Sequence, residues 1–337
     1  MYTNRRQFLT ACGLLGLGAA VNGALPMVCE AARVGKEHSV HQTRLMMGTI
    51  VTITALHESK QLGEEAVGRA FEEIARLEGI FSRYDAATPV SVLNDQGKVS
   101  GIPAELAEVM DRALRFGSLS DNAFDITVKP VVDLYRAKKN LNGALTLSKD
   151  EFEHALSLVG HDGVRVSGSN VRLARQGMGI TLDGIAKGYI VDKASAVLAA
   201  HGASSHMINA GGDIRTMGEN AKGTAWTIAI QDPDKQGVHP AVITMNTGAI
   251  ATSGGYEVFY DKQRLYSHLV SPVSGKSPNN MASVSVTAPS VMEADALATA
   301  VSIMQTRAGL QFMNSLPGRE ALIITKSGEM FPTHRWG

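Results

Sequence analysis

The sequence predicts an α+β fold of mixed, largely antiparallel sheets with packed helices. Segments rich in Thr, Val and Ile and segments of helical period follow one another without the steady βαβ rhythm of a doubly wound parallel sheet. At 337 residues and 44% apolar content, the chain can bury a sizeable core. No internal repeat or low-complexity linker divides it.

Leu45 to Ala55 is rich in Thr, Ile and Val and reads as one strand. Leu62, Ala66, Ala70, Ile74 and Leu77 then recur at helical spacing, giving an amphipathic helix that ends near Phe81. Pro103 opens a second helix through Leu106, Val109, Met110 and Leu114. A third starts at Ser148, whose separation from Glu151 is that of a capping box. Further strands are expected at 164–166, 171–174, 205–209, 225–231, 241–246, 283–287 and 321–325, and further helices at 184–201, 292–304 and 307–315. The weakest boundary lies at Lys138 to Leu147, where Asn140 and Asn142-Gly143 read as a turn.

Lys plus Arg and Asp plus Glu number 32 each, so no long-range field draws the chain to nucleic acid or an anionic membrane. Both cysteines, Cys12 and Cys29, lie near the N-terminus. The body therefore has no disulfide, iron–sulfur or thiolate-zinc site, and a metal there must be held by oxygen or histidine.

Asn4-Arg5-Arg6-Gln7-Phe8-Leu9 sets paired arginines before an apolar stretch, and no charged residue stands between Gln7 and Cys29. This is the layout of a twin-arginine export signal, taken as a leader over residues 1–32. A transmembrane anchor is the competing reading, since an uncharged run of this length can span a bilayer, although its glycines and Asn22 make it a mediocre span. The expected location is extracytoplasmic, in the periplasm, with the twin-arginine translocase as partner during export. Whether the leader is cut or kept as a membrane tether stays open.

Several short patterns fail. Gly275-Lys276-Ser277 resembles the end of a P-loop, but Val270 holds the place of the earlier glycine. Serine-hydrolase elbows and His-Glu-x-x-His frames are missing from the sequence.

Four segments carry chemistry. Asn209-Ala210-Gly211-Gly212-Asp213 follows a strand, and its glycines let backbone N–H groups approach a pyrophosphate closely; a plain tight turn is the alternative. Thr181-Leu182-Asp183-Gly184-Ile185-Ala186-Lys187 leads into a helix with lysine in its first turn, which opposes the helix dipole unless the lysine serves an anion or is simply solvated. Asp295 and Thr299, four apart in an otherwise apolar helix, put two oxygens on one face. Completed by carbonyls and water these suit a hard cation such as magnesium, whereas a mid-helix threonine usually bonds its own turn. His268, at a strand end before a Ser/Pro/Gly turn, is either a structural histidine or a catalyst.

In order, Met47-Gly48-Thr49, Phe81-Ser82-Arg83-Tyr84, Ser91-Val92-Leu93-Asn94, Ala123-Phe124-Asp125, Gly184 to Asp192, Asn209 to Asp213, Ala251-Thr252-Ser253-Gly254, His268, Pro272 with Gly275, and Ala294 to Thr299 resemble the ApbE family, the FAD:protein FMN transferases. The resemblance runs from Leu45 to the final strand and implies a two-lobed single domain over residues 40–337. It implies an enzyme that breaks the FAD pyrophosphate, joins FMN by a phosphoester to a threonine or serine of an acceptor protein, and releases AMP. The acceptor would be a flavin-carrying subunit of an extracytoplasmic redox complex. FAD would be the substrate and Mg2+ the cofactor.

By position, the resemblance assigns Met47, Tyr84, Ala123, Phe124, Asp125, Thr181, Lys187 and Ser253 to the flavin nucleotide site, with Asn209, Gly211, Gly212 and Asp213 as its wall. Asp295, Thr299 and the carbonyl of Gly184 would hold magnesium. His268 would take the acceptor's proton, with Asp183 as a second catalytic candidate. The chain departs from the family at Thr181, where Asp is common and an acid follows instead at Asp183, at Ser271, which replaces the Asp usual after the histidine, and at Tyr135, near a common Trp. These changes touch the contacts to FAD and the orientation of His268. An FAD pyrophosphatase releasing FMN and AMP, or an extracytoplasmic flavin carrier, are the alternative functions.

Overall fold

The computed structural model describes residues 37–139, 145–234, 237, 239–255, 258–263 and 265–336. The proposed leader with Arg5-Arg6, and the turn at Asn140 and Asn142-Gly143, lie outside the described residues.

The stretch expected to be one strand from Leu45 to Ala55 is a hairpin instead. Strand β1 runs His38–Met46 and β2 runs Thr49–His57, paired antiparallel with Leu45 opposite Ile50. Met47 at φ 52° and Gly48 at φ 71° form the turn between them. A two-residue turn with both φ positive matches strand twist, and here a non-glycine residue fills the first place. Inward positions of β2 are the alternate residues Val51, Ile53 and Ala55, all fully buried.

Helix α1 (Lys60–Phe81) follows, capped by Ser59, and buries Ala66, Ala70, Ile74 and Leu77 as the spacing predicts. Leu62 does not join that face; it is 52% exposed, and the helix closes on the hairpin through Gly63 instead. Helix α2 (Pro89–Gln96), strand β3 (Lys98–Ser100) and helix α3 (Ala104–Leu119) come next, then α4 (Lys129–Lys138) and α5 (Lys149–Ser157). The capping box is present, with Ser148 Oγ accepting from the Glu151 N–H at 3.2 Å and donating to Glu151 Oε2 at 2.9 Å. Strands β4 (Val164–Ser167) and β5 (Asn170–Leu173) complete a small three-stranded sheet with β3.

Helix α6 (Ala186–Ala200) leads to β6 (Ser205–Ala210) and β7 (Asp213–Met217), followed by a separate hairpin of β8 (Trp226–Ala229) and β9 (Val242–Met245). Strands β10 (Gly248–Gly254) and β11 (Met281–Ala288), helices α7 (Val291–Ile303) and α8 (Thr306–Asn314), and strands β12 (Glu320–Thr325) and β13 (Met330–Pro332) close the chain. The main sheet has eight strands in the order β1-β2-β6-β7-β10-β11-β12-β13, and every neighbouring pair is antiparallel. None of the described helices is long and apolar enough to cross a membrane.

Helix α6 packs against both α1 and α7, and α7 lies against β10 and β11. Its composition explains that position. Ala294, Ala296, Leu297, Ala298, Ala300 and Val301 are almost wholly buried, so α7 is apolar all round, as an interior helix must be. Its first N–H groups are satisfied by neighbours: Asp192 accepts from Val291 and Met292, each at 3.0 Å, and Ser290 Oγ accepts from Glu293 at 3.3 Å.

Close approach of α6 to the start of α7 depends on Gly188. A Cβ there would stand 2.5 Å from the Val291 carbonyl oxygen and 2.6 Å from its carbon, both backbone atoms. We expect Gly188→Ala to lower stability by about 1–3 kcal/mol, read as a lower denaturant midpoint with the slope retained. A variant as stable as the parent would show that the two helices can separate freely.

Candidate active site

Antiparallel registers place three predicted segments at one end of four neighbouring strands. Val51 pairs with Ala210, Ala210 with Asp213, and Ile250 with Ile214, so the start of β2, the turn 209–213 and the last residues of β10 lie together. Gly211 has φ 65°, and a Cβ on it would lie 2.3 Å from Thr49 Oγ1, so the glycine turn presses directly on the Met47–Thr49 corner. Gly212 has φ 101° with nothing near its Cβ position, and its N–H is held by Asn209 Oδ1 at 2.9 Å. Met47 is anchored by its N–H, which donates to Glu78 Oε2 at 3.2 Å.

Helix α6 brings its first turn to the same place. Lys187 Nζ lies 2.9 Å from Asp213 Oδ2. Burial pushes the Asp213 carboxyl up, and Lys187 opposes that shift. The first-turn lysine therefore answers an acid of the glycine turn, which explains why it stands against the helix dipole.

The oxygen pair of α7 sits beside this ion pair. Asp295 is 5% exposed, and its Oδ2 accepts from the Gly188 N–H at 3.3 Å. Thr299 Oγ1 lies 3.4 Å from Ser253 Oγ of β10. At Gly184 a Cβ would come within 2.8 Å of Thr299 Oγ1 and 3.4 Å of the Phe124 ring, so the missing side chain brings this backbone against the threonine hydroxyl. Gly184, Ser253, Asp295, Thr299 and Phe124 are thus gathered from separate parts of the chain. No group of three His, Cys, Asp or Glu side chains able to hold a metal occurs among the described residues. Any cation here would rest on a mixed set of carboxylate, hydroxyl and carbonyl oxygens, the donor chemistry hard cations take.

Asp183, next to Gly184, is half exposed and accepts from Arg83 Nε at 3.0 Å. The Arg83 side chain is 4% exposed and donates through Nη1 to Asp133 at 3.0 Å, and Lys129 Nζ reaches the other oxygen of Asp133 at 2.5 Å. The Arg83 guanidinium also lies 4.9 Å from the ring of Tyr84, which is 66% exposed, and Arg136 covers the same ring at 5.2 Å. Tyr84 is thereby tied to the cluster through Arg83, Asp183 and Gly184. Thr181 sends its N–H to the Ile126 carbonyl at 2.7 Å and its Oγ1 accepts from the Asp183 N–H at 3.3 Å.

Asp125 faces inward. Its Oδ1 accepts from the Thr127 N–H at 2.7 Å and the Thr127 hydroxyl at 2.6 Å, and its Oδ2 accepts from the His161 N–H at 3.0 Å. With those bonds the carboxylate fixes the turn that presents Ala123 and Phe124. Burial pushes His268 below its ordinary value, against a hydrogen bond to the Val258 backbone and the charge of Asp183, which raise it, while Lys187 lowers it further. Its Nδ1 is buried and has no hydrogen-bond partner among the described residues. A neutral imidazole with an uncommitted nitrogen can accept a proton.

Sequence reasoning assigned no role to Arg83, Asp133, Lys129, Glu78 or Asn94. Arg83 and Asn94 stand inside the segments 81–84 and 91–94 that resemble the ApbE family, but their partners are up to 100 residues away, so spacing alone carried no signal.

Two surface clefts, of about 530 Å³ beside Met245 and Trp336 and about 450 Å³ beside Asp192 and Arg215, include none of the gathered residues.

Fold and site together define an antiparallel α+β protein with a cluster of oxygens walled by glycine turns, a layout suited to a phosphorylated ligand. The sequence profile of the ApbE family matches residues 47–323, and the chain belongs to that family. It is 30% identical over 337 residues to an FAD:protein FMN transferase of Treponema pallidum, covering 93% of this chain and 89% of that protein. It is 29% identical to the FAD:protein FMN transferase of Escherichia coli K12, with 75% of each covered. The flavin transferase ApbE from Vibrio cholerae superposes with a TM-score of 0.76 at 26% identity, covering 88% of this chain and 98% of the other.

Proposed function

We propose that this chain is a magnesium-dependent transferase that moves FMN from FAD to a threonine or serine hydroxyl of an acceptor protein and releases AMP. Flavin transfer from FAD to a protein is the activity named for its relatives. The observation that carries the reading to this chain's own atoms is the buried Asp295 carboxylate gathered with Thr299 and the Gly184 backbone beside Lys187. Asp295, Thr299 and the Gly184 carbonyl would hold the cation. Bound magnesium would neutralise charge that builds on the pyrophosphate oxygens as the bond to AMP breaks.

The chain's own residues supply alignment and proton handling. The turn at Asn209 to Asp213 and the corner at Met47 to Thr49 restrict where a phosphate can lie. Tyr84 offers an exposed ring for a flat ligand. His268, neutral at physiological pH, accepts the acceptor hydroxyl proton as its oxygen bonds to the FMN phosphorus and the oxygen bridging to AMP leaves. The acceptor is a flavin-carrying subunit of a redox complex outside the cytoplasm, reached after export through the leader at Arg5-Arg6.

Incubated with FAD, magnesium and a co-expressed acceptor, the purified protein is expected to raise the acceptor's mass by one FMN unit on a threonine or serine. AMP release at full rate without acceptor, with acceptor mass unchanged, would replace transfer by pyrophosphate hydrolysis.

A further inference from the structure

We infer that Asn94 is a positioning residue that sets the loop bearing Gly184, and through it the affinity of the site for its cation. This rests on the cation site proposed above. Residues 178–182 belong to no helix or strand, yet they carry the chain into Gly184 and α6. A segment without a ladder must find partners for its backbone elsewhere.

Asn94, on helix α2, provides both at one residue. Its Oδ1 accepts from the Ile180 N–H at 2.6 Å and its Nδ2 donates to the Ile180 carbonyl at 3.0 Å. A side-chain amide thus imitates one rung of a strand pairing, across 86 residues of sequence. The fit is close on the loop side as well. A Cβ at Gly179 would stand 3.2 Å from Asn94 Oδ1 and 2.9 Å from Lys129 Cδ, so any side chain there would crowd the amide and the lysine stem.

Past this clamp the loop has little freedom. Ile180 is fully buried, the Thr181 N–H is held by the Ile126 carbonyl at 2.7 Å, and Asp183 is gripped by Arg83 at 3.0 Å. Gly184 follows immediately, against Thr299. A carbonyl ligand contributes to cation affinity in proportion to how well its direction is fixed beforehand, and partners behind the ligands are worth about 10–100-fold in metal affinity. Asn94 touches none of the proposed ligands. Its effect acts through Ile180 and the short run to Gly184.

Magnesium binding to the full chain, measured by calorimetry without FAD or acceptor, reads this directly. Asn94→Ala is expected to weaken magnesium binding by about tenfold or more. Circular dichroism should stay that of the parent, and kcat at saturating magnesium should stay near the parent's while the half-saturating magnesium concentration rises. A residue that only supports the fold would lower the melting temperature and leave the binding constant alone, so an unchanged constant overturns the inference. Asn94→Asp keeps the acceptor for the Ile180 N–H and removes the donor to its carbonyl. It decides the matter if the alanine variant does not fold, with weaker magnesium binding expected and a parental constant counting against the inference. Asp295→Ala separates the two levels. If it binds magnesium as the parent does, or if the parent binds none, the cation site itself fails and the role of Asn94 fails with it.

Discussion

Asp295→Asn is expected to reduce FMN transfer at ordinary magnesium concentrations by at least about a hundredfold without lowering the unfolding midpoint. The two readouts should part because the two roles of the carboxylate have opposite signs. Asp295 is 5% exposed on a helix buried mostly through alanine, leucine and valine, and burying a carboxylate there costs free energy that a neutral amide does not incur. The amide keeps the shape and can still accept from the Gly188 N–H. What it removes is the negative charge that would draw a cation to Thr299 and Gly184. Loss of charge neutralisation during phosphoryl transfer commonly costs several kcal/mol of barrier. Excess magnesium should recover part of the rate if affinity is what was lost. Transfer and magnesium dependence both equal to the parent's would remove Asp295 from the site.

That contrast also explains which parts of the protein were legible beforehand. Asp295 stood out because it and Thr299, four residues apart in a run of small apolar residues, put two oxygens on one helix face. Helix α1 was legible from its apolar periodicity and α6, α7 and α8 from runs rich in helix-forming residues, and each matches its expected range closely. Strands β3, β7, β10 and β13 were missed. Gly248–Gly254 begins and ends in glycine, yet it is a central strand because α7 and its neighbours bury it. The β1–β2 turn was hidden inside a continuous run of strand-forming residues, since nothing in the identity of Met47 announces a φ of 52°.

The site divides in the same way. The glycine turn and the lysine of α6 were legible as local patterns, but their meaning was not: Lys187 reaches from its helix to Asp213 at the end of the turn, a pairing no spacing rule contains. The Arg83 network is still less local. Its acids lie 50 and 100 residues further along, and what makes Arg83 central is its burial, a property of the finished fold. Asp125 shows the converse. Its place in a motif pointed to the ligand, while its bonds point to Thr127 and His161, so it acts by holding Phe124 against Gly184.

His268→Gln is expected to lower kcat by about 10²–10⁴-fold, the usual worth of a positioned general base. Magnesium affinity should be unchanged, because His268 is not among the oxygens gathered by α7. The pH dependence identifies the role. Burial is the largest influence on His268 and pulls it below its ordinary value, so the ring is neutral through the physiological range. Acting as a base, it would leave the parent's kcat/KM flat near neutrality and make it fall as pH drops well below about 6.5, when the imidazole becomes protonated. The glutamine variant, which has no titrating ring, should lose that acidic limb along with the rate. Asp183 supplies a control. Asp183 favours the protonated ring, so Asp183→Asn should move the limb to still lower pH rather than abolish it. The same substitution weakens the grip of Arg83 on the loop, so some loss of magnesium affinity should accompany the shift. A limb that keeps its position and slope in His268→Gln belongs to another group, and His268 would then be a buried structural histidine.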